Sequence, residues 1–168
     1  MKKIAIACAV TMLAGPTLAQ ETATARTSFI GKTGQENGTA MLTPVPGGVL
    51  IQMEVNGLPP KSWVAVHFHE TGACDHTTGH DSAGGHFNPT GAGHGFLAEG
   101  GPHGGDMPNQ HVGDDGVLRA EILNAAVTLD AGEKSVRGRA LMVHGGKDDY
   151  KTQPSGDAGD RQACGVIE

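Results

Sequence analysis

The sequence predicts an all-β domain, a sandwich or barrel whose chemistry is carried on long loops. Three observations lead there. Short runs of β-branched and alternating residues recur along the chain, each stopped by Gly or Pro. Helical periodicity is weak throughout. Glycine makes up 27 of the 168 residues, well above the usual ~7%, and it concentrates in a histidine-bearing middle segment. Such a pattern fits loop glycines between strands better than disorder.

The elements follow in order. Ala23–Lys32 and Gly38–Thr43 are expected to pair near the N-terminus. Val49–Val55 is rich in β formers, alternates in its later half and is stopped by Asn56-Gly57-Leu58-Pro59-Pro60. In Trp63–His69 the alternation puts Val64, Val66 and Phe68 on one face and Trp63, Ala65, His67 and His69 on the other. Two histidines at i and i+2 then point the same way, as a single metal requires. Val117–Leu123 and Arg139–His144 read as two more strands. Between His69 and Val117, the stretch from Glu70 to Gly116 is mostly Gly, His, Asp, Pro and Thr with little apolar periodicity. Loops of that length are disordered or functional. A metal and a disulfide would offset its low apolar content.

The first residues read as a secretory signal peptide. Met1-Lys2-Lys3 is a positive start, Ile4–Leu13 a short apolar run, and Thr17-Leu18-Ala19 a small-residue cleavage site. The run is too short to span a membrane. Cys8 lies too early in it to carry a lipid. The expected domain organisation is a signal peptide over 1–19 and one folded domain over 20–168, long enough for a real core. Cleavage leaves two cysteines, Cys74 and Cys164, and export makes a disulfide between them the default. Removing Lys2 and Lys3 leaves ten basic against 18 acidic residues. That excess of negative charge argues against a nucleic acid or an anionic membrane as partner.

The chemistry lies in the nine histidines. His67-Phe68-His69 opens the constellation, followed by His86-Phe87-Asn88-Pro89, His94, His103-Gly104-Gly105-Asp106 and finally His144. Neutral imidazole is the commonest protein ligand for zinc and copper, and a lone carboxylate beside three histidines suits zinc. The pattern points to a two-metal site holding copper and zinc.

Five motifs in order resemble the copper–zinc superoxide dismutases in their exported bacterial form. They are His67-Phe68-His69-Glu70, Ser82–Pro89, His103-Gly104-Gly105-Asp106, Gly138–His144 and Asp160–Ile167. The resemblance implies a Greek-key eight-stranded β-barrel with long metal-binding and substrate-guiding loops, periplasmic or secreted. It implies copper on His67, His69, His86 and His144, and zinc on His86, His94, His103 and Asp106. His86 would bridge the two metals, serving as ligand and acid in turn. Arg161 would orient superoxide beside copper, and Asp148 would link His67 to His94. The implied reaction is dismutation of superoxide to oxygen and hydrogen peroxide. Two metals and Arg161, with Lys147 and Lys151 nearby, would make a positive funnel in an acidic surface.

Other readings compete at particular residues. His76, His80 and His111 lie outside the motifs and are expected to be exposed. His111-Val112-Gly113-Asp114 is a second H-x-x-D, but Met107-Pro108-Asn109 after Asp106 and the spacing from His86 favour His103 and Asp106. His94 in its glycine-rich setting also reads as a loop histidine. Arg161 can pair instead with Asp157 or Asp160, and Trp63 is expected to pack rather than function. The rival from another class is a copper or zinc carrier on the same barrel. A zinc hydrolase lacks its H-E-x-x-H helix here. Monomer and homodimer both stay open.

Overall fold

The protein is described by a computed structural model over residues 23–168, so the signal-peptide segment lies outside the described residues. The described chain forms nine strands: β1 (Ala25–Gly31), β2 (Glu36–Val45), β3 (Gly48–Val55), β4 (Trp63–Val64), β5 (Val66–His69), β6 (Gln110–His111), β7 (Leu118–Asn124), β8 (Ala140–His144) and β9 (Arg161–Val166). All named pairings are antiparallel. Seven strands form one sheet in the order β5-β8-β9-β1-β2-β3-β7, and β4 pairs with β6.

β4 and β5 are one extended run, Trp63–His69, interrupted at Ala65, whose N–H donates to the Gly146 carbonyl just past β8 and whose carbonyl accepts from His144 N–H at the end of β8. Counted so, there are eight strands, as expected. The bridge between Val112 and Leu118 joins the β6 side to β7 and closes the sheet into a barrel. β1, β2 and β3 form a meander. The chain then crosses from β3 to β4, and later from β7 to β8, which is the Greek-key feature.

Alternation explains the core. Phe29 from β1, Leu42 from β2, Val49, Ile51 and Val55 from β3, and Val64, Val66 and Phe68 from β4 and β5 are fully buried in one cluster inside the barrel. β8 breaks the alternation because both its faces are covered. Leu141 and Val143 enter the barrel core, while Ala140 and Met142 join Ala83, Cys164 and Cys74 in a second cluster outside the wall. β9 was missed in the sequence for the same reason. Ala163 faces the barrel and Cys164 the outer cluster, so no polar–apolar rhythm shows.

Two loops carry the remaining chemistry, one from Glu70 to Asn109 and one from Gly145 to Asp160. Cys74 in the first is disulfide-bonded to Cys164 on β9. Such a bond suits an extracytoplasmic enzyme. No helix among the described residues is long and apolar enough to cross a membrane.

The disulfide spans a sequence separation of 90 residues, for which loop-closure entropy gives a stabilisation of about 4–5 kcal/mol. Replacing both cysteines by serine is expected to lower the unfolding free energy by about that amount in guanidinium titration. A loss below about 1 kcal/mol would show that the unfolded chain is not restrained by the bond.

Candidate metal centre

The site grows on the outer face of β5. One edge of β5 pairs with β8. Along the other, the long loop adds backbone bonds: Phe68 N–H donates to Gly105, Phe87 N–H to Phe68 and Gly105 N–H to Phe87, at 2.8–3.0 Å. Isolated bridges pair His67 with Asp106 and His69 with His86. The loop is thus laid onto the strand that carries the histidine pair. Arg139 steadies it by donating to the Glu70 carbonyl and lying 5.0 Å from the Phe87 ring centroid.

Two groups of four result. In His67, His69, His86 and His144 the ligand-capable atoms all lie within 4.8 Å of one another; the same holds for His86, His94, His103 and Asp106. All seven side chains are buried, and His86 belongs to both groups. The decoy motif stays apart. His111 is exposed with its ring against Trp63, and Asp114 pairs with Lys61 at 3.3 Å. Trp63 itself is 55% exposed.

Hydrogen bonds at the far side of each ring decide which nitrogen faces inward. Asp148 receives His67 Nε2 on one oxygen at 2.9 Å and His94 Nε2 on the other at 3.0 Å. His69 Nδ1 donates to the Gly84 carbonyl at 3.0 Å and His144 Nδ1 to that of Gly159 at 3.3 Å. His67 Nδ1 and the Nε2 atoms of His69 and His144 are left as inward acceptors. His86 presents Nδ1 to Asp106 at 2.9 Å, and its Nε2 remains for the all-histidine group. Gly156 is required here: it has φ 69°, and a Cβ on it would lie 1.8 Å from Asp148 Oδ1.

These donors fit a metal. His67 Nδ1 and His86 Nε2 are buried without a hydrogen-bond partner among the described residues, a rare condition for polar atoms. His69 Nε2 and His144 Nε2 face each other at 3.4 Å. Two nitrogen lone pairs so placed repel unless a cation lies between them. An all-imidazole group suits copper, and three imidazoles with one carboxylate suit zinc.

Residues 36–167 match the family described as copper/zinc superoxide dismutase (SODC). The chain belongs to the copper/zinc superoxide dismutase family. Among its relatives, "Superoxide dismutase [Cu-Zn] 1" of Aquifex aeolicus (strain VF5) is 46% identical over 155 residues, 90% of each chain. "Superoxide dismutase [Cu-Zn] 2" of the same organism is 48% identical over 147 residues, 85% of each. Cu/Zn superoxide dismutase from Brucella abortus superposes with a TM-score of 0.72 at 30% identity, covering 87% of this chain and all of that one. A mutant of a SOD-like protein from Bacillus subtilis superposes at 0.81 and 32% identity, covering 84% and 95%.

Arg161, singled out in the sequence, is held at its guanidinium by backbone. Its guanidinium donates to the backbone carbonyls of His80 at 2.8 Å and Gly84 at 2.7 Å. Asp160 turns away to Lys32 at 3.2 Å. The nearest carboxylate to Arg161 is Asp81, 3.8 Å from Nε and largely exposed, which the sequence did not single out. The Arg161 charge reaches the first group, where it helps to lower the pKa of His69 and His144.

His80 corrects an expectation. His76 and His111 are exposed, but His80 is fully buried, with neither ring nitrogen bonded among the described residues. Two short 3-10 turns, His76–Thr78 and Asp81–Ala83, fold the segment inward with His80 at φ 65° between them. Polar neighbours on both sides hide this in the sequence. Burial lowers its pKa, and the His76 and Arg161 charges add to that.

Burial, reinforced by His86 and His144, pushes His67 well below its ordinary 6.5 and His69 down to about 2. Burial takes His144 to about 4, against the Gly159 carbonyl, which favours the charged ring. For Asp106 burial opposes charge, but hydrogen bonds from His86 and the Gly95 N–H hold its carboxyl at about 2.

In the metal-free protein these histidines stay neutral when folded but bind protons once unfolded. Their contribution to stability is complete above the unfolded value of 6.5 and is lost as pH falls toward about 4 for His144 and about 2 for His69. The metal-free melting temperature is therefore expected to drop steadily as the solution is acidified below neutrality. A flat profile by circular dichroism would mean that the rings are already solvated.

Proposed function

We propose that this chain dismutes superoxide to oxygen and hydrogen peroxide, with copper on His67, His69, His86 and His144 and zinc on His86, His94, His103 and Asp106. The observation that carries this reading is the pair of buried four-donor groups sharing one imidazole, in a chain of this family. Bound copper supplies one-electron redox chemistry, and bound zinc supplies a fixed charge that makes the shared imidazole easier to deprotonate.

The protein's own residues do the rest. Arg161 draws the anion in and orients it with a charge that does not titrate. Its anchors are carbonyls, Asp160 is turned to Lys32, and Asp81, 3.8 Å from Nε, is largely exposed. His86 Nε2 is the atom that takes up and returns a proton during the cycle, since its Nδ1 is engaged on the Asp106 side. Asp148 keeps the Nε2 protons of His67 and His94 outward, which leaves both Nδ1 atoms free to ligate. Burial of the seven ligands restricts their side-chain rotation. We also propose that residues 1–19 are a cleaved signal peptide and that the folded domain, 20–168, works in the periplasm or outside the cell.

The test is superoxide decay followed directly by stopped flow, with the mature protein loaded with copper and zinc. Decay first order in protein, well above that of chelated copper, is the expected result. Tight binding of both metals without turnover would instead mark a metal carrier on the same barrel. His144→Ala is expected to abolish turnover while zinc stays bound. Full activity in that variant would remove His144 from the copper set. Arg161→Glu should slow turnover by about tenfold or more at unchanged copper content. A parental rate would reduce Arg161 to a structural tie for the loop.

A further inference from the structure

The segment after Asp148 reaches across to the loop that carries His94. Gln153 brackets that histidine's backbone: its Oε1 accepts from His94 N–H at 2.8 Å, and its Nε2 donates to the His94 carbonyl at 2.9 Å. Three residues earlier, Tyr150 makes a second set of ties. Its carbonyl accepts from Leu97 N–H at 2.9 Å, and its ring meets Phe96 edge to face at 5.5 Å. Its hydroxyl accepts from Asn109 N–H at 2.7 Å, and its own N–H donates to Asp148 Oδ1 at 2.6 Å. Asn109 returns the connection, exchanging two 2.8 Å bonds with the backbone of Asp148.

The fit has left its mark on the backbone. Tyr150 sits at φ 65°, uncommon for an aromatic residue. Opposite it stands Gly95 at φ 96°, where a Cβ would lie 2.0 Å from the Tyr150 carbonyl oxygen. Gly95 in turn donates its N–H to Asp106 Oδ2 at 2.8 Å. A segment that contributes no ligand thus holds the His94 backbone and packs against Gly95, the residue that bonds Asp106.

We infer that Tyr150–Gln153 is a clasp that sets how tightly the zinc group keeps its metal, with Gln153 as a positioning residue for His94. This rests on the zinc reading above and goes beyond it. His94 comes from a glycine-rich loop with no strand of its own, so the free protein must spend chain entropy to bring its ring to the others. The two Gln153 bonds fix that backbone before the metal arrives. In the copper group, by contrast, His67, His69 and His144 have their backbone fixed by strands.

Zinc itself is the probe. Gln153→Ala removes an exposed side chain, so the variant should fold. Its zinc affinity, measured by chelator competition, is expected to fall about tenfold or more, while the cupric electron paramagnetic resonance spectrum at the copper group stays that of the parent. Tyr150→Phe, which deletes only the hydroxyl, should weaken zinc in the same direction and by less. Unchanged zinc affinity in both variants would overturn the inference. So would a loss of melting temperature in Gln153→Ala that is equal with and without zinc, since that describes a residue supporting the fold alone. A parent protein that takes up no zinc would sink the proposed function, and this inference with it.

Discussion

The site depends on hydrogen bonds made at the side of each imidazole that faces away from the centre. A histidine has two similar nitrogens, and nothing in the ring itself decides which will offer a lone pair. Here Asp148 and the carbonyls of Gly84 and Gly159 decide it. Asp148 does most, because one carboxylate settles a ring in each group. Those partners are themselves fixed. Asp148 is bonded by Asn109 and Tyr150, Gly84 ends a 3-10 turn, and Gly159 lies just before β9. The orientation of the donors is a property of the scaffold, set before any metal binds.

The barrel contributes rigidity and one particular edge. β5 is buried on both faces, with Val66 and Phe68 in the core and His67 and His69 outside it. Because β5 leaves its second edge to the loop, backbone bonding continues without interruption from the sheet into the site. The disulfide acts at the other end of the same loop. It joins Cys74 to β9, the strand that begins with Arg161, and the intervening turns supply both carbonyls that hold the guanidinium. Two loops with little apolar content of their own are thereby made part of the folded domain.

Much of this was legible in the sequence, and the boundary between what was and what was not has a physical basis. Strands with one wet face announce themselves by alternation, as β1, β3 and β7 do. β9 did not, since Ala163 and Cys164 face two different apolar clusters. The histidine groups were legible because their motifs keep local spacing on strands or in tight turns. His80 was not, because burial in the middle of a polar loop depends on how two short turns fold, which no periodicity records. Asp157 and Asp160 stood out as neighbours of Arg161 along the chain. The carboxylate that approaches it is Asp81, far away in sequence and brought near by the disulfide-bonded loop. Tyr150 and Gln153 carried no signal either, since their work is done on the backbone of other segments.

The membership of His86 in both groups has a thermodynamic consequence. A cation bound at Nδ1 changes what Nε2 can offer, and one bound at Nε2 changes Nδ1. The carboxylate of Asp148, touching a ring from each side, adds a second link of the same kind. The two sites are therefore one cooperative unit rather than two neighbours. By reciprocity, whatever factor occupancy of one site imposes on affinity at the other must be returned unchanged in the opposite direction.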